Sequence, residues 1–517
     1  MSEGNEVPAG HERVVMGLLF YPRGGSAYVV RYLSPALARA GWSVSVVTGS
    51  LGVTGDETDA ATFFDGLDVH PLDATAAVKG FVSGLDAIRA PEPVHPSYED
   101  RAGAPDVVLA AVPPDLADHL VDAWDEPFDE IDRDGVGVLH LHHLTPQLDA
   151  ARRRWPDVPL VVHLHGTEMK LIAGIDDRVA LAAALGETLA TMPAAIPTLI
   201  DPGLRLDQAQ LDLLESTRWG SWVHGEFWAA RLRRQALLAD HLITVSDLNR
   251  ASAVSLLGVD PDTVTSIPNG VDTDRFHPTR REPGARRAVF RRALVDDPQG
   301  WTELGPPGTL TYDEADLDRL LGPRDDATVL LYVGRFLGFK RVPALIRAFA
   351  AARSSFTRPG SLVIWGGHPG EWEGEHPVSV AEEVGVDGIY FTGWRGHDDL
   401  PLGLAACDAI VVPSVEDPYP QVPLEAMAVG LPVVACRSGG LISMVNLDPT
   451  RPTGWFVPPD DHDALRNVLA HVVNQPDEIA ERGAHALAHA RADLSWAGLV
   501  PQFETAYSRA AEHRRRQ

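Results

Sequence analysis

Residues 14–20 are an unbroken apolar run that ends in Tyr21-Pro22-Arg23-Gly24-Gly25. An apolar stripe at Val29, Leu33, Ala36, Leu37 and Ala40 follows at helical spacing, stops at Gly41, and gives way to a second apolar run at 44–47. Strand, glycine turn, helix and strand make a βαβ unit, whose crossover helix forces the two strands to lie parallel. A parallel sheet must be covered on both faces, so this opening confines the chain to the α/β class.

Further strands are expected at 137–141, 160–164 and 241–245. A second series reads as strands at 329–333, 361–365, 389–392, 409–413 and 431–435, alternating with helical stretches. The 517 residues exceed what one hydrophobic core serves. The fold class that follows is α/β, with two Rossmann-like, doubly wound parallel-sheet domains. The first spans 1–275, with insertions near 65–134 and 172–234, the latter carrying Trp219, Trp222 and Trp228. Residues 276–324 have arginines, prolines and glycines without clean periodicity and read as a linker with an insertion. The second domain spans 325–490, and 491–517 reads as a terminal helix ending in a solvated basic tail, Arg514-Arg515-Arg516.

Charge excludes some partners. With 44 basic against 72 acidic residues, the formal net charge is −28. Such a surface repels phosphate backbones and anionic lipid, so neither nucleic acid nor a membrane is an expected partner. No stretch approaches the roughly 18 apolar residues of a spanning helix. The polar, acidic start at 1–13 is unlike a secretory signal, and the chain is expected in the cytoplasm. Cys407 and Cys436 are too few for a disulfide framework and read as reduced core residues. Only three lysines occur, Lys79, Lys170 and Lys340. Arginine is the default base here, so a retained lysine marks either a need for a compact ammonium or chance survival on the surface.

Two segments carry chemistry. In Val333-Gly334-Arg335-Phe336-Leu337-Gly338-Phe339-Lys340-Arg341 a strand ends in a loop with two cations. Open α/β sheets bind ligands at such strand ends, and a fixed Arg/Lys pair can stabilise a departing diphosphate without a metal. A pair of surface bases is the other reading. In the segment Pro413-Ser414-Val415-Glu416-Asp417-Pro418-Tyr419-Pro420-Gln421-Val422-Pro423-Leu424-Glu425-Ala426 a carboxylate-bearing loop precedes a helix opened by Pro423. A helix start offers unpaired amides to a diphosphate, and carboxylates beside it can hold sugar hydroxyls. An acidic loop that merely caps a helix is the plain alternative.

Together these segments resemble the retaining glycosyltransferases of the GT-B fold, family four, the group 1 type. That family carries a Gly-Arg…Lys loop and a Glu-x7-Glu motif, which fall here on Gly334, Arg335 and Lys340, and on Asp417 and Glu425. Further matches are Gly24-Gly25, Leu164-His165-Gly166-Thr167, Ile267-Pro268-Asn269-Gly270, Phe391-Thr392-Gly393-Trp394 and Gly430-Leu431-Pro432-Val433. The resemblance implies domains facing across a cleft: an acceptor domain at 1–275, a nucleotide-sugar domain at 325–490, and a terminal helix returning to the first. It implies a hexosyltransferase that moves sugar from a nucleotide-diphosphate donor, UDP by default, to a small-molecule or glycan acceptor. Anomeric configuration would be retained, and neither cofactor nor metal would be needed.

By the same resemblance Arg335 and Lys340 would bind the donor phosphates and Asp417 would face the donor sugar. Gln421 and Val422 would offer backbone amides, and Glu425 would hold the ribose. Gly24, Gly25 and Gly334 would admit the diphosphate closely, His165 would sit at sugar and acceptor, and Gly393 and Trp394 would lie near the base. A phosphorylase of the same fold and a catalytically silent binding protein are the rivals. Three departures from the family pattern stand out: Asp417 is one methylene short and could share its role with Glu416, Pro420 replaces a glycine, and Arg341 replaces another. Strand alternation puts His140 with His142, and His163 with His165, on common faces. These are expected to be polar or acceptor-facing rather than metal ligands.

Overall fold

The computed structural model describes residues 12–517 except 20–24, 57, 102, 199–205 and 280–283. The chain divides into two compact units, Met1–Pro268 with Val500–Gln517, and Asn269–Leu499.

The first unit holds seven strands: β1 Arg13–Leu18, β2 Ser43–Ser50, β3 Asp68–Asp73, β4 Val136–His142, β5 Leu160–Leu164, β6 His241–Thr244 and β7 Val264–Ser266. They form one sheet in the order β3-β2-β1-β4-β5-β6-β7, and every pairing is parallel. The helix Gly25–Arg39 makes the crossover that its apolar stripe implies, with Val29, Val30, Leu33 and Leu37 buried. Ser246 caps the helix Asp247–Leu257 through the amide of Asn249, and Gly258 ends that helix in the left-handed conformation.

The second unit holds six strands: β8 Thr328–Gly334, β9 Gly360–Gly366, β10 Ile389–Gly393, β11 Ala409–Val412, β12 Val433–Cys436 and β13 Gly454–Val457. Their order is β10-β9-β8-β11-β12-β13, again wholly parallel. Both sheets therefore reverse their winding once, between β1 and β4 in the first and between β8 and β11 in the second. Loops leaving the carboxyl ends of those strands splay apart and leave a crevice. This is where the chemistry-bearing segments fall.

Three strands carry no run that the sequence reading picked out: β3, β7 and β13. All are edges. β3 reads Asp-Val-His-Pro-Leu-Asp and buries only Leu72, because an edge strand has one flank in solvent and tolerates proline. Residues 276–324 contain the helices Ala285–Arg291 and Glu314–Leu321 and pack within the second unit. Trp301 enters that unit's core and donates its indole N–H to Gly367 O at 2.9 Å.

The tryptophans of the 172–234 stretch are core residues. Trp219, Trp222 and Trp228 are all buried, and Trp228 donates to Val112 O at 2.8 Å, tying this insertion to the other one. The basic tail also differs from the expectation of simple solvation. Arg514 joins Arg152 on the buried carboxylate of Asp240, with N···O distances of 3.1 Å for both. A buried carboxylate needs such partners to stay charged. Both cysteines are buried, and neither is in a disulfide. No helix among the described residues is long and apolar enough to cross a membrane.

Candidate functional site

In the second unit β8 ends at Gly334, and the loop after it runs through Arg335 to a single turn at Gly338–Lys340 before the helix Val342–Ala352. Phe339 O accepts the amide of Val415 at 2.9 Å, which stitches this loop to the one leaving β11. The Lys340 ammonium donates to Asp417 Oδ2 at 2.6 Å, with both side chains largely buried. Lys79 and Lys170 are exposed, so the lysine in the loop is the one held in a partly desolvated ion pair. Arg335 is half-buried, and its guanidinium makes no hydrogen bond or ion pair with a described residue. Its backbone carbonyl accepts from the Tyr332 hydroxyl at 2.8 Å.

Arg341, where the resemblance expects glycine, adopts φ 55° as a glycine would, and its side chain pairs with Asp460 at 2.7 Å. The departure preserves the turn at the cost of left-handed strain, on the order of 1–2 kcal/mol. Of the two adjacent acids, Glu416 is exposed at φ 56° while Asp417 is buried. The structure therefore singles out Asp417 as the inward carboxylate. A Cβ on Gly439 would stand 2.2 Å from Asp417 O, so the loop after β12 can pack against this segment only with glycine there.

The helix Val422–Ala428 starts at Gln421 without a side-chain cap and has Pro423 in its first turn. Glu425 is 5% exposed. One of its oxygens lies 2.9 Å from His397 Nε2 and the other has no partner among the described residues. Ser414 Oγ, Tyr419 OH and Gln421 Nε2 are likewise buried without partners among the described residues. Four such polar atoms thus fall between Ser414 and Glu425, within reach of a hydrogen-bonding ligand at this strand end.

At the end of β10, Gly393 has φ 72°, and a Cβ there would meet Gln299 O at 1.9 Å. Its glycine thus serves packing within the unit. Trp394 is 41% exposed and sits edge-on to His368 at 5.5 Å. A cavity of about 420 Å³ in this unit is lined by Arg286, Asp326, Ala327, Asp408 and Leu431, at the amino ends of the strands and away from these loops.

The first unit presents different chemistry at its own reversal point. Gly24 lies outside the described residues. Gly25 opens its helix, and a Cβ there would meet nothing within 4 Å, so packing among the described residues does not demand glycine. From β4 and β5, four imidazoles stack: His140–His142 at 4.7 Å, His142–His165 at 5.1 Å and His163–His165 at 4.4 Å between centroids. Burial keeps all four neutral. The pKa of His140 falls to about 3, and those of His142, His163 and His165 fall well below the ordinary value, burial being reinforced by neighbouring rings.

His165 Nε2 lies 2.9 Å from His142 Nδ1, and its amide donates to Glu168 Oε1 at 2.8 Å. Glu168 is wholly buried, which alone would raise its pKa. The His143 ring 2.9 Å away and the amides it accepts outweigh burial and hold it below the usual range.

His397, Glu168 and Tyr507, whose hydroxyl lies 2.8 Å from His140 Nδ1, were not singled out from sequence. His397 stands four residues after Gly393 in a strand-end loop, the one hint available. Its partner is 28 residues away, and no periodicity links them.

Comparison with known proteins covers both units. A family model described as Glycosyltransferase Family 4 matches residues 23–275, and one described as Glycosyl transferases group 1 matches 327–475. A D-inositol 3-phosphate glycosyltransferase 2 of Catenulispora acidiphila is 31% identical over 280 residues, 53% of this chain and 57% of the relative. The matched stretch thus spans little more than half of that relative's length. Among solved structures, Anabaena HepE in complex with UDP-glucose aligns over 96% of this chain and 100% of its own at 16% identity, with a TM-score of 0.55. The catalytic domain of Arabidopsis thaliana starch synthase IV bound to ADP and acarbose aligns over 98% and 100% at 16% identity, with a TM-score of 0.59.

Proposed function

The chain belongs to the group 1, family 4 glycosyltransferases, and from that premise we propose that it moves a hexosyl group from a nucleotide-diphosphate sugar to a hydroxyl of a small-molecule or glycan acceptor. One observation carries the reading: at the reversal point of the second sheet a half-buried guanidinium without a partner among the described residues stands on the loop that also holds the Lys340–Asp417 pair. A diphosphate leaving group gains negative charge as its bond to the sugar lengthens, and cations fixed in advance stabilise it without reorganisation. Arg335 and Lys340 fill that role, with no metal called for at the phosphates.

Asp417 orients the sugar, and Glu425, its other oxygen engaged by His397, accepts from ribose hydroxyls. The amides of Gln421 and Val422 receive phosphate oxygens, Gly334 keeps the strand end low beneath them, and the exposed face of Trp394 meets the base beside Gly393. On the first unit Gly25 leaves room for a close ligand, and His165, a neutral imidazole, hydrogen-bonds acceptor or sugar hydroxyls. Transfer proceeds with retention, the departing phosphate oxygen taking the acceptor's proton while the new bond forms on the face the leaving group vacates. UDP is the nucleotide tried first, HepE having been captured with UDP-glucose and starch synthase IV with ADP. Two buried thiols outside any disulfide suit the cytoplasm.

The test begins with thermal shifts across UDP-, GDP- and ADP-sugars, since a bound donor stabilises the native state according to its affinity. Proton NMR of the product made from the stabilising donor then reports the anomeric configuration, with and without added magnesium. An inverted product, dependence on magnesium, or activity with sugar 1-phosphate and free phosphate alone would overturn the corresponding part of this reading.

A further inference from the structure

Three wholly buried imidazoles of the first unit, His140 and His142 on β4 and His163 on β5, have unspent nitrogens. One nitrogen from each lies within 4.8 Å of the other two. Nε2 of His140, Nε2 of His142 and both nitrogens of His163 lack a hydrogen-bond partner among the described residues. Each buried polar atom left so costs on the order of 1–3 kcal/mol. A group of them at one spot calls for an occupant able to engage all three rings.

The remaining nitrogens of two rings are already engaged. His140 Nδ1 lies 2.8 Å from the Tyr507 hydroxyl and His142 Nδ1 lies 2.9 Å from His165 Nε2. With the hydrogen on Nδ1 in those bonds, each Nε2 presents a bare lone pair. A metal takes imidazole in that form, the ring being oriented by an outer partner on its other nitrogen.

We propose that His140, His142 and His163 form a binding site for a late first-row transition metal ion, zinc in particular, inside the first unit. An all-imidazole donor set suits zinc and disfavours magnesium and calcium, which take oxygen ligands. Bonds of about 2.0–2.1 Å to a tetrahedral ion bring ligand nitrogens to roughly 3.3 Å from one another. The rings close that gap by turning about their last torsion, which is soft for histidine. Charge is met nearby: Glu168 holds His143, whose ring lies 4.7 Å from that of His165. The ion ties β4 to β5 and takes none of its ligands from Arg335, Lys340, Asp417 or Glu425, so it replaces the expectation of ordinary polar histidines, while His165 holds the His142 ligand from its other nitrogen.

The test uses the full chain without a histidine tag. Wild-type protein is equilibrated with zinc, freed of unbound metal by gel filtration, and analysed by plasma mass spectrometry. A single zinc per chain is expected, and cobalt loaded instead should show the visible absorption of a tetrahedral ion. His142→Gln and His163→Gln should lose the ion, whereas His70→Gln, whose ring pairs with Glu130, should keep it. If the ligand variants fail to fold, Tyr507→Phe decides the matter. It keeps every ligand but removes the partner of His140, and should weaken zinc binding about tenfold. Wild-type protein that emerges without zinc, zinc persisting in a folded variant lacking all three imidazoles, or unchanged affinity in Tyr507→Phe would overturn the proposal.

Discussion

The two sheets are wound alike, each running outward in both directions from one reversal point, yet the strand ends there are dressed in opposite ways. The second unit places fixed charges at its point: Arg335 without a partner among the described residues, Lys340 on Asp417, Glu425 on His397. The first places neutral, stacked imidazoles there and confines its charge to the buried Glu168–His143 pair. One set of strand ends is dominated by charged groups and the other by neutral rings. The shared winding supplies the crevice, and the side chains grafted onto it decide the chemistry.

The sharpest way to break this comparison is Arg335→Ala. Because the guanidinium has no partner among the described residues, its loss should leave the melting temperature unchanged while kcat/KM falls about 10³-fold, near 4 kcal/mol of transition-state stabilisation. Steady-state kinetics beside a thermal melt would measure both. A fall in stability with little change in rate would make the arginine structural and the comparison empty.

Acid should separate the units next. Burial brings His95 and His241 of the first unit to pKa values of about 4. The unfolded chain then binds protons first as pH drops below about 6.5, so stability is level above that pH and declines toward 4. Between pH 6.5 and 5 the loss is about 2 kcal/mol for each such histidine. His376 of the second unit shifts in the same direction, so that unit should respond less rather than not at all. Hydrogen exchange followed by mass spectrometry should show β4–β6 losing protection before β8–β12. Equal loss in both sheets would contradict the contrast.

A smaller effect is expected from His397→Phe. It frees the second oxygen of Glu425 from its partner, and nucleotide affinity should weaken about tenfold with kcat nearly kept, as for a residue that positions a binding group. Calorimetry with UDP reads this directly, and unchanged affinity would remove His397 from the site. The smallest is Arg341→Gly. Relief of the left-handed strain outweighs the loss of an exposed pair with Asp460, so the melt should rise by less than about 1 kcal/mol equivalent. A clear fall in stability would mean the ion pair matters more than the turn.

Much of this was legible beforehand because strand-end loops announce themselves. Buried central strands are apolar runs, and polar residues just beyond them, such as Arg335, Lys340 and Asp417, stand out. Edge strands like β3 escape notice because half of each faces solvent. The stacking of His140 with His142 follows from alternation on one strand, but their meeting with His163 and Tyr507 joins segments up to 367 residues apart. The core role of Trp219, Trp222 and Trp228 was not legible either, because nothing along an insertion says which of its faces will be buried.

The amino-acid order by itself determined the α/β class, the doubling of the sheet and the loops that carry charge, since these depend on periodicity and on neighbours along the chain. Only the tertiary structure decided which of two adjacent acids turns inward, which base is left without a partner, and which imidazoles share one buried spot. Those outcomes depend on which surfaces lose water together, and desolvation is a property of packed space that no single stretch of sequence contains.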